Sequence, residues 1–447
     1  MKKKKKPNKL NKINRKKLYK KCKQEYINKI SKYNDKVPFP TVEDALPLNL
    51  NSWFTSTMST FKGNAINIKT VNNFPENVIK CKKVIIKFSN KQHKIIIGWM
   101  RACELMFNRI IKYFKASRFN KTKYTCQYKK LRKQFKTYSK ELVKTYSIPV
   151  HILDCSIKRA CATLKSCLSN LKNGHIKKFR LRYLKEKSPN KIIEIEPASF
   201  SKNHNAFCTR TLGKLIDSNK FDLKTIRTTT MSTCTLHYNK PNNIFTLLVP
   251  KTIKTIENKN NHIIAIDPGV RTFSTGLSDN HVVELGTNIA QLIQNNLNKI
   301  DNFNNSNLPS RIKKRYGKIY SNKIKNLMTE VHWKIIKYLT DNYKVILIGN
   351  WSTKNIGKRE TSVINRMTKR IASRLRYYNF LQKLKYKCES KKINLQIIDE
   401  RYTSKLCSKC GWENKKLKGS KTFNCKGCGL SIDRDINSAR GIMIKAL

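Results

Sequence analysis

The sequence predicts a mixed α/β protein, in which a small β-barrel interrupted by a helical domain precedes an α/β domain. Three observations predict it: helical periodicity from about Trp99 to Leu171, short β-type runs on both sides of that stretch, and strand–helix alternation from His262 onward. A chain of 447 residues is long enough for two or three cores, and 39% hydrophobic content fills them.

The first 37 residues open "MKKKKKPNKLNKINRKKLYKKCKQ" and offer few anchors for a core, so 1–37 reads as a flexible basic arm. A solvated tail, a nucleic-acid backbone contact and a nuclear-import signal are its open roles. Residues 38–95 read as a linker and the first part of the barrel, with a strand-like run at Val84 to Phe88. In 96–188 the apolar residues Trp99, Cys103, Met106, Phe107, Ile110 and Ile111 recur at helical spacing. Further on, "VHILDCSIKRACATLKSCLSNLK" sets an apolar face against Lys and Arg, which makes this a helical domain with basic outer faces. The runs "KIIEIEP" and "STCTLHYNKPNNIFTLLVP", the second broken by a turn, give 189–255 as the second part of the barrel.

The α/β domain spans 256–404. In "HIIAIDPGVRTFSTGLSDNHVVEL" an apolar strand ends in Asp267, and a glycine-containing turn leads to two more strands. A carboxylate where a buried strand ends, followed by a glycine that admits a ligand, is one way an α/β sheet presents a metal ligand; a plain Asp-Pro-Gly turn is the other reading. Two helix-then-strand units follow, with strands Val345 to Ile348 and Leu395 to Ile398. Right-handed crossovers make such strands parallel, so their carboxyl ends share one edge, and Asp267, Asn350 and Glu400 fall on it. The last segment, 431–447, starts a helix whose Asp435 can point back toward the sheet, while Asp433 suits the helix start.

Three carboxylates converging in a basic chain are costly unless a divalent cation compensates them. Hard oxygen ligands suit magnesium, typically two ions that clamp a phosphoryl displacement, so metal-dependent phosphodiester cleavage is the chemistry expected. The formal charge of +68, from 95 Lys and Arg against 27 Asp and Glu, calls for a polyanion, with nucleic acid as the leading partner. A membrane surface is the alternative partner, but no run approaches about 18 apolar residues and no signal peptide opens the chain, so no membrane partner is expected.

Of 14 cysteines, Cys407, Cys410, Cys425 and Cys428 form two C-x2-C pairs separated by fourteen residues, each pair followed by glycine. This is a four-thiolate zinc ribbon at 405–430, and four sulfurs leave the zinc no open position for water, so its role is structural. The other ten, such as Cys155, Cys161 and Cys167, read as buried free thiols in an intracellular, reducing compartment.

The stretches "AIDPGVRTF", "TSKLCSKCG", "FNCKGCG" and "DRDINSARGI" resemble the RuvC-like nuclease and inserted zinc ribbon of the TnpB proteins, and more closely those of their eukaryotic and viral relatives, the Fanzor proteins. The resemblance runs from about Val84 to Leu447, with specific motifs in the last 185 residues. It implies an RNase H-like fold, a WED-like barrel with a REC-like helical insert, and an RNA-guided DNA endonuclease from a mobile element, related to type V CRISPR effectors. Guide RNA and double-stranded target DNA are the implied partners, and a monomer is favoured. Asp267 matches the family's first catalytic aspartate and Asp435 its last. The middle glutamate departs: TnpB proteins carry it after the strand that here ends in Asn350, whereas Fanzor-like sequences carry it just before "TSK", where Glu400 stands.

If the strand ending near Ile348 lies between those ending near Ile266 and Ile398, the outer two are about 10 Å apart, and Gly349 leaves room for Glu400 to lean across. Glu330 and Glu360 are weaker substitutes. A nuclease that has lost its middle glutamate would instead be a cleavage-inactive binding protein, an accessory factor or regulator of transposition. A strand-joining transposase lacks a separate catalytic core here.

Overall fold

The computed structural model describes residues 9–40, 45–63, 66–70, 73–119, 126–215, 222–230, 232–351, 364–417 and 419–447. The chain divides into two compact units, Met1–Glu76 with Lys254–Leu447, and Asn77–Ile253. The first unit opens with α1 (Lys9–Tyr33) and two short strands, β1 (Leu46–Pro47) and β2 (Ser56–Thr60). The second contains β3 (Asn77–Ile86), α2 (Asn90–Phe119), α3 (Tyr128–Gln134), α4 (Lys136–Tyr146), α5 (Val150–Lys172) and β4 (Asn190–Ile195). After the single-turn helices α6 (Thr209–Leu212) and α7 (Ile226–Thr229) come β5 (Cys234–Asn239) and β6 (Ile244–Lys254). The first unit resumes with β7 (Ile263–Pro268), β8 (Ser274–Ser278), β9 (His281–Leu285), α8 (Ile289–Asn305), α9 (Ser310–Asn342) and β10 (Val345–Gly349). It ends with α10 (Arg366–Arg374), α11 (Tyr377–Ser390), β11 (Asn394–Ile398), β12 (Thr422–Asn424), β13 (Ser431–Asp433) and α12 (Arg434–Ala446). No helix of the described residues is long and apolar enough to cross a membrane.

In the second unit the strands form a four-stranded sheet of order β3-β6-β5-β4, open among the described residues rather than a closed barrel. Alternating burial along β4, β5 and β6 gives the sheet one apolar face. That face is covered by helices: Ile193, Leu236 and Leu247 share one core with Trp99 and Ile110 of α2 and Ile152 and Leu164 of α5. Once helices supply the cover, the sheet has no need to close on itself. The stretches expected as barrel and helical domain therefore share a core.

The first unit holds a seven-stranded sheet of order β1-β2-β9-β8-β7-β10-β11. β7, β8 and β9 run antiparallel, while β10 is parallel to both β7 and β11. Successive residues of β7 and β10 feed two cores. Ile264, Ile266, Ile346 and Ile348 pack beneath α8, α9, α10 and α11, and Ile263, Ala265, Val345 and Leu347 pack beneath α12 and the ribbon. Strands buried on both faces read as continuous apolar runs, and these do.

Two stretches differ from expectation. The basic arm is, from Lys9, the helix α1; Tyr26 and Ile30, one turn apart, are 1% and 2% exposed in the core beneath α12. Part of the stretch taken as a linker supplies β1 and β2, which extend the large sheet beside β9.

Candidate active site

β10 lies between β7 and β11, with Ile348 opposite Ile266 and Gly349 opposite Ile398. The carboxyl ends of all three therefore share one edge. Asp267 is the penultimate residue of β7, opposite Thr275 of β8. Glu400 stands two residues past β11. A Cβ added to Gly349 would lie 3.0 Å from the Glu400 Oε2, 3.2 Å from Pro268 Cδ and 3.2 Å from Ile442 Cδ1. Gly349 is thus where the neighbour of Asp267, a residue of α12 and the Glu400 carboxylate meet, and a side chain there would press on all three.

The backbone around Glu400 is tied from α12. Lys445 Nζ donates to the Asp399 carbonyl at 2.8 Å and to the Arg401 carbonyl at 2.5 Å. The Arg401 guanidinium holds the Asp399 carboxylate, with Nε at 2.7 Å from Oδ2, leaving Glu400 the acid directed at the edge. Asp435 lies in the first turn of α12, whose start is fixed by Asp433: its Oδ1 accepts from the Asp435 amide at 2.8 Å and from the Ile436 amide at 3.3 Å. Asp433 is the helix cap, as its position suggested.

Burial raises the pKa of all three acids, and their mutual repulsion adds to it for Asp267, which feels Asp435 and Glu400. The Glu400 carboxyl is pushed up to about 7, by burial and then by Asp399. Burial and Asp433 raise Asp435, against the opposing charges of Arg434, Arg271 and Lys421. At this edge, then, Asp435 and Glu400 both disfavour ionisation of the buried Asp267.

Asn350 is exposed, its amide bonded to the Ile398 carbonyl at 2.8 Å. Glu330 is engaged elsewhere, accepting from Ser52 Oγ at 3.1 Å and Trp53 Nε1 at 2.8 Å. Glu360 lies outside the described residues.

The four cysteines bring their sulfurs within 4.8 Å of one another, the one such group of potential ligands among the described residues. Cys407 and Cys428 Sγ are 3.7 Å apart, and Cys410 and Cys425 Sγ 3.5 Å. Tetrahedral thiolates at the usual zinc–sulfur distance stand about 3.8 Å apart, so the donor set fits that ion. Both pairs are built alike: Gly411 (φ 77°) and Gly429 (φ 71°) turn the chain, and their amides donate to the Cys407 and Cys425 carbonyls at 2.9 and 3.1 Å. Of the remaining cysteines, Cys103, Cys155, Cys161, Cys234 and Cys388 are buried thiols, whereas Cys81 is exposed.

Sequence reasoning missed the residues that hold the ribbon onto α12. Buried Asn437 donates to the Thr403 and Leu406 carbonyls at 3.2 and 3.0 Å and accepts from the Ser408 amide at 2.9 Å. Fully buried Arg440 donates to the carbonyls of Ser408, Val37 and Pro38, with its guanidinium 3.4 Å from the Phe39 ring centroid. The available signal was their spacing in "DRDINSARG", which sets Asp433, Asn437 and Arg440 along one helix.

A family model described as the Cas12f1-like TNB domain matches residues 377–442. A TnpB-like protein of Acanthamoeba polyphaga mimivirus is 32% identical over 408 residues, covering 85% of this chain and 76% of that protein. A protein of Paramecium bursaria Chlorella virus 1 bearing the name of a transposase is 27% identical over 416 residues, 88% of this chain and 91% of its own. Among solved structures, the Cas12f1–sgRNA–target DNA complex aligns over 80% of this chain and 83% of its own, at 13% identity and a TM-score of 0.48. Fold and site define a basic α/β protein with acids gathered at one sheet edge beside a tetracysteine loop. The chain belongs to the TnpB family.

Proposed function

We propose that this chain is an RNA-guided DNA endonuclease of mobile-element origin, hydrolysing phosphodiesters at a RuvC-like site formed by Asp267, Glu400 and Asp435. The observation that carries the reading is the repulsion that Asp435 and Glu400 exert on buried Asp267 at one edge, with the Glu400 carboxylate laid over Gly349. Divalent cations relieve such repulsion, and oxygen-only ligands suit magnesium. Two-ion sites hold their cations about 4 Å apart between carboxylates of this kind. When bound, such ions stabilise charge on the reacting phosphate and make water a better nucleophile.

The chain's own residues fix the ligands. β7 carries Asp267, the Lys445 ties hold Glu400, and the Asp433 cap holds Asp435. Cys407, Cys410, Cys425 and Cys428 would hold zinc, and four sulfurs close its coordination, so it keeps the ribbon folded. Guide RNA pairing with one strand of double-stranded DNA is carried over from the family, and the +68 charge supports a protein that grips the backbone rather than reading bases. A glutamate displaced to Glu400 supports the closer likeness to Fanzor proteins. The same reading includes an intracellular monomer.

The test is to express the chain with the sequence flanking its gene, recover copurified RNA, and challenge matching DNA with and without magnesium. Asp267→Ala and Glu400→Ala are expected to slow cleavage at least about 100-fold, on the order of 3 kcal/mol of barrier, while Asn350→Ala cleaves normally. Normal cleavage by Glu400→Ala would refute the site. Asn350 favours a second reading, a cleavage-inactive accessory factor or regulator of transposition, for which the unmodified chain would bind matched DNA and leave it intact.

A further inference from the structure

A cavity of about 660 Å³ opens between α3, α4 and α5, wholly within the second unit. Its volume lies within the roughly 300–1,000 Å³ of sites that take small organic groups. Two kinds of surface line it. Lys129, Lys133, Lys136, Lys140 and Lys144 of α3 and α4 form one wall, each of them exposed. Val143, Val150 and Ile157 supply apolar surface, Ile157 from the unit's core and Val150 at 44% exposure.

The five lysines follow one another at steps of four, three, four and four residues, the spacing of a single helical face. A core-facing helix would place apolar residues at such positions. Like charges three or four residues apart repel, and lysines lining a cavity cannot close it by packing against one another. The one acid among the described residues that line it, Asp154, is 7% exposed and holds Arg132 Nε at 2.9 Å, which fixes that guanidinium at the same wall. The cavity is thus open, strongly positive along one side and apolar along another.

That pairing selects an occupant. An anion alone would leave the apolar side unused. A duplex would too, since its bases are stacked inside and it offers a flat surface only phosphates. The stripe from Lys129 to Lys144 runs roughly 20 Å at 1.5 Å per residue, longer than one nucleotide. We propose that this cavity is a binding site for unpaired nucleotides of a nucleic-acid strand, whose phosphates follow the lysine stripe while a base lies against Val143, Val150 and Ile157. The lysines supply affinity without reading sequence, and the apolar side makes the site prefer a single strand to a duplex. The site goes beyond the endonuclease reading and stands whether or not the chain cleaves.

The experiment uses the full chain, freed of copurified RNA by nuclease and salt. It is titrated with labelled oligo(U) and oligo(dT) of about 12 nucleotides, and with a duplex of the same length. Val150→Trp fills the cavity without changing charge, and Val150→Ser removes apolar surface without adding bulk. Each is expected to weaken single-strand binding about 10-fold, with duplex affinity and the salt dependence unchanged. Should Val150→Trp melt early, Val150→Ser decides. Replacing Lys133, Lys136 and Lys140 together by Gln should lower the slope of log affinity against log salt by about 2, at ~0.7 per phosphate contact on a single strand. Whichever oligomer binds the tighter names the source of the strand as RNA or DNA, and either supports the assignment. Wild-type single-strand affinity in Val150→Ser, or a duplex affinity that falls in step with it, overturns the site. So does competition by uridine monophosphate as strong as by the oligomer at equal nucleotide concentration, which would mean that the cavity takes a free nucleotide instead.

Discussion

Glu400 reaches its neighbours from two residues beyond β11 because Gly349 presents no side chain to obstruct it. That much was legible: parallel strands ending at one edge, with a glycine at the end of the middle one, left a path about 10 Å long. The electrostatic consequence was not, since it depends on how deeply the carboxyl is buried. With a folded-state pKa of about 7 against an unfolded value near 4.5, the folded chain holds the Glu400 proton more tightly than the unfolded one. The stabilisation from this group is thus complete below the unfolded value and is lost as pH rises through about 7. For the metal-free protein, Glu400→Gln is therefore expected to be more stable than wild type at pH 8, by on the order of 1–3 kcal/mol, with the gap narrowing toward pH 5. Thermal melts at the two pH values measure it. An equal gap at both would show that protonation of Glu400 is not responsible. Adding magnesium should narrow the gap at pH 8 by stabilising the wild type more.

Among the elements, the ribbon and α12 behave as one device. The turn at 403–408 enters the first cysteine pair, and Asn437 and Arg440 grip its backbone from the helix that carries Asp435. Loss of the metal would free the loop, and α12 would then lose the partner of two buried polar side chains. Cys425→Ser is expected to bind less zinc by elemental analysis, to melt at lower temperature by several degrees, and to cleave poorly even in excess magnesium. Cys81→Ser, at an exposed position on β3, serves as the control and should change none of these. Cleavage that survives zinc loss in Cys425→Ser would separate the ribbon from the acidic edge. The cysteine spacing made the ribbon legible because metal geometry is local in sequence. Arg440 was not, because its acceptors at Val37 and Pro38 lie some 400 residues away and are carbonyls, which any residue type supplies. The barrel was misread for a related reason: alternating strands such as β4 and β5 look alike whether the opposite cover is more sheet or α2 and α5.

At the scale of the molecule, the charge that announced a polyanion also concealed structure. α1 is so rich in lysine that Tyr26 and Ile30 passed as isolated apolar residues, yet Tyr26 lies against Gly441 so closely that a side chain there would collide with its hydroxyl. Tertiary contact, not periodicity, selects that helix. The positive charge has a consequence for binding. With 95 basic side chains against 27 acidic ones, attraction to any duplex is expected to come mostly from released counterions, which carry no sequence information. Affinity for unmatched DNA should therefore fall about 10³- to 10⁵-fold between 50 and 200 mM salt if six to ten phosphates are contacted. Matched DNA should fall less steeply, because base pairing with a guide adds a term that salt does not oppose in the same way. Titrating both duplexes against the RNA-loaded chain across that range measures the two slopes. Equal slopes, at equal affinity, would mean that the guide contributes nothing to target choice and that the charge alone accounts for binding.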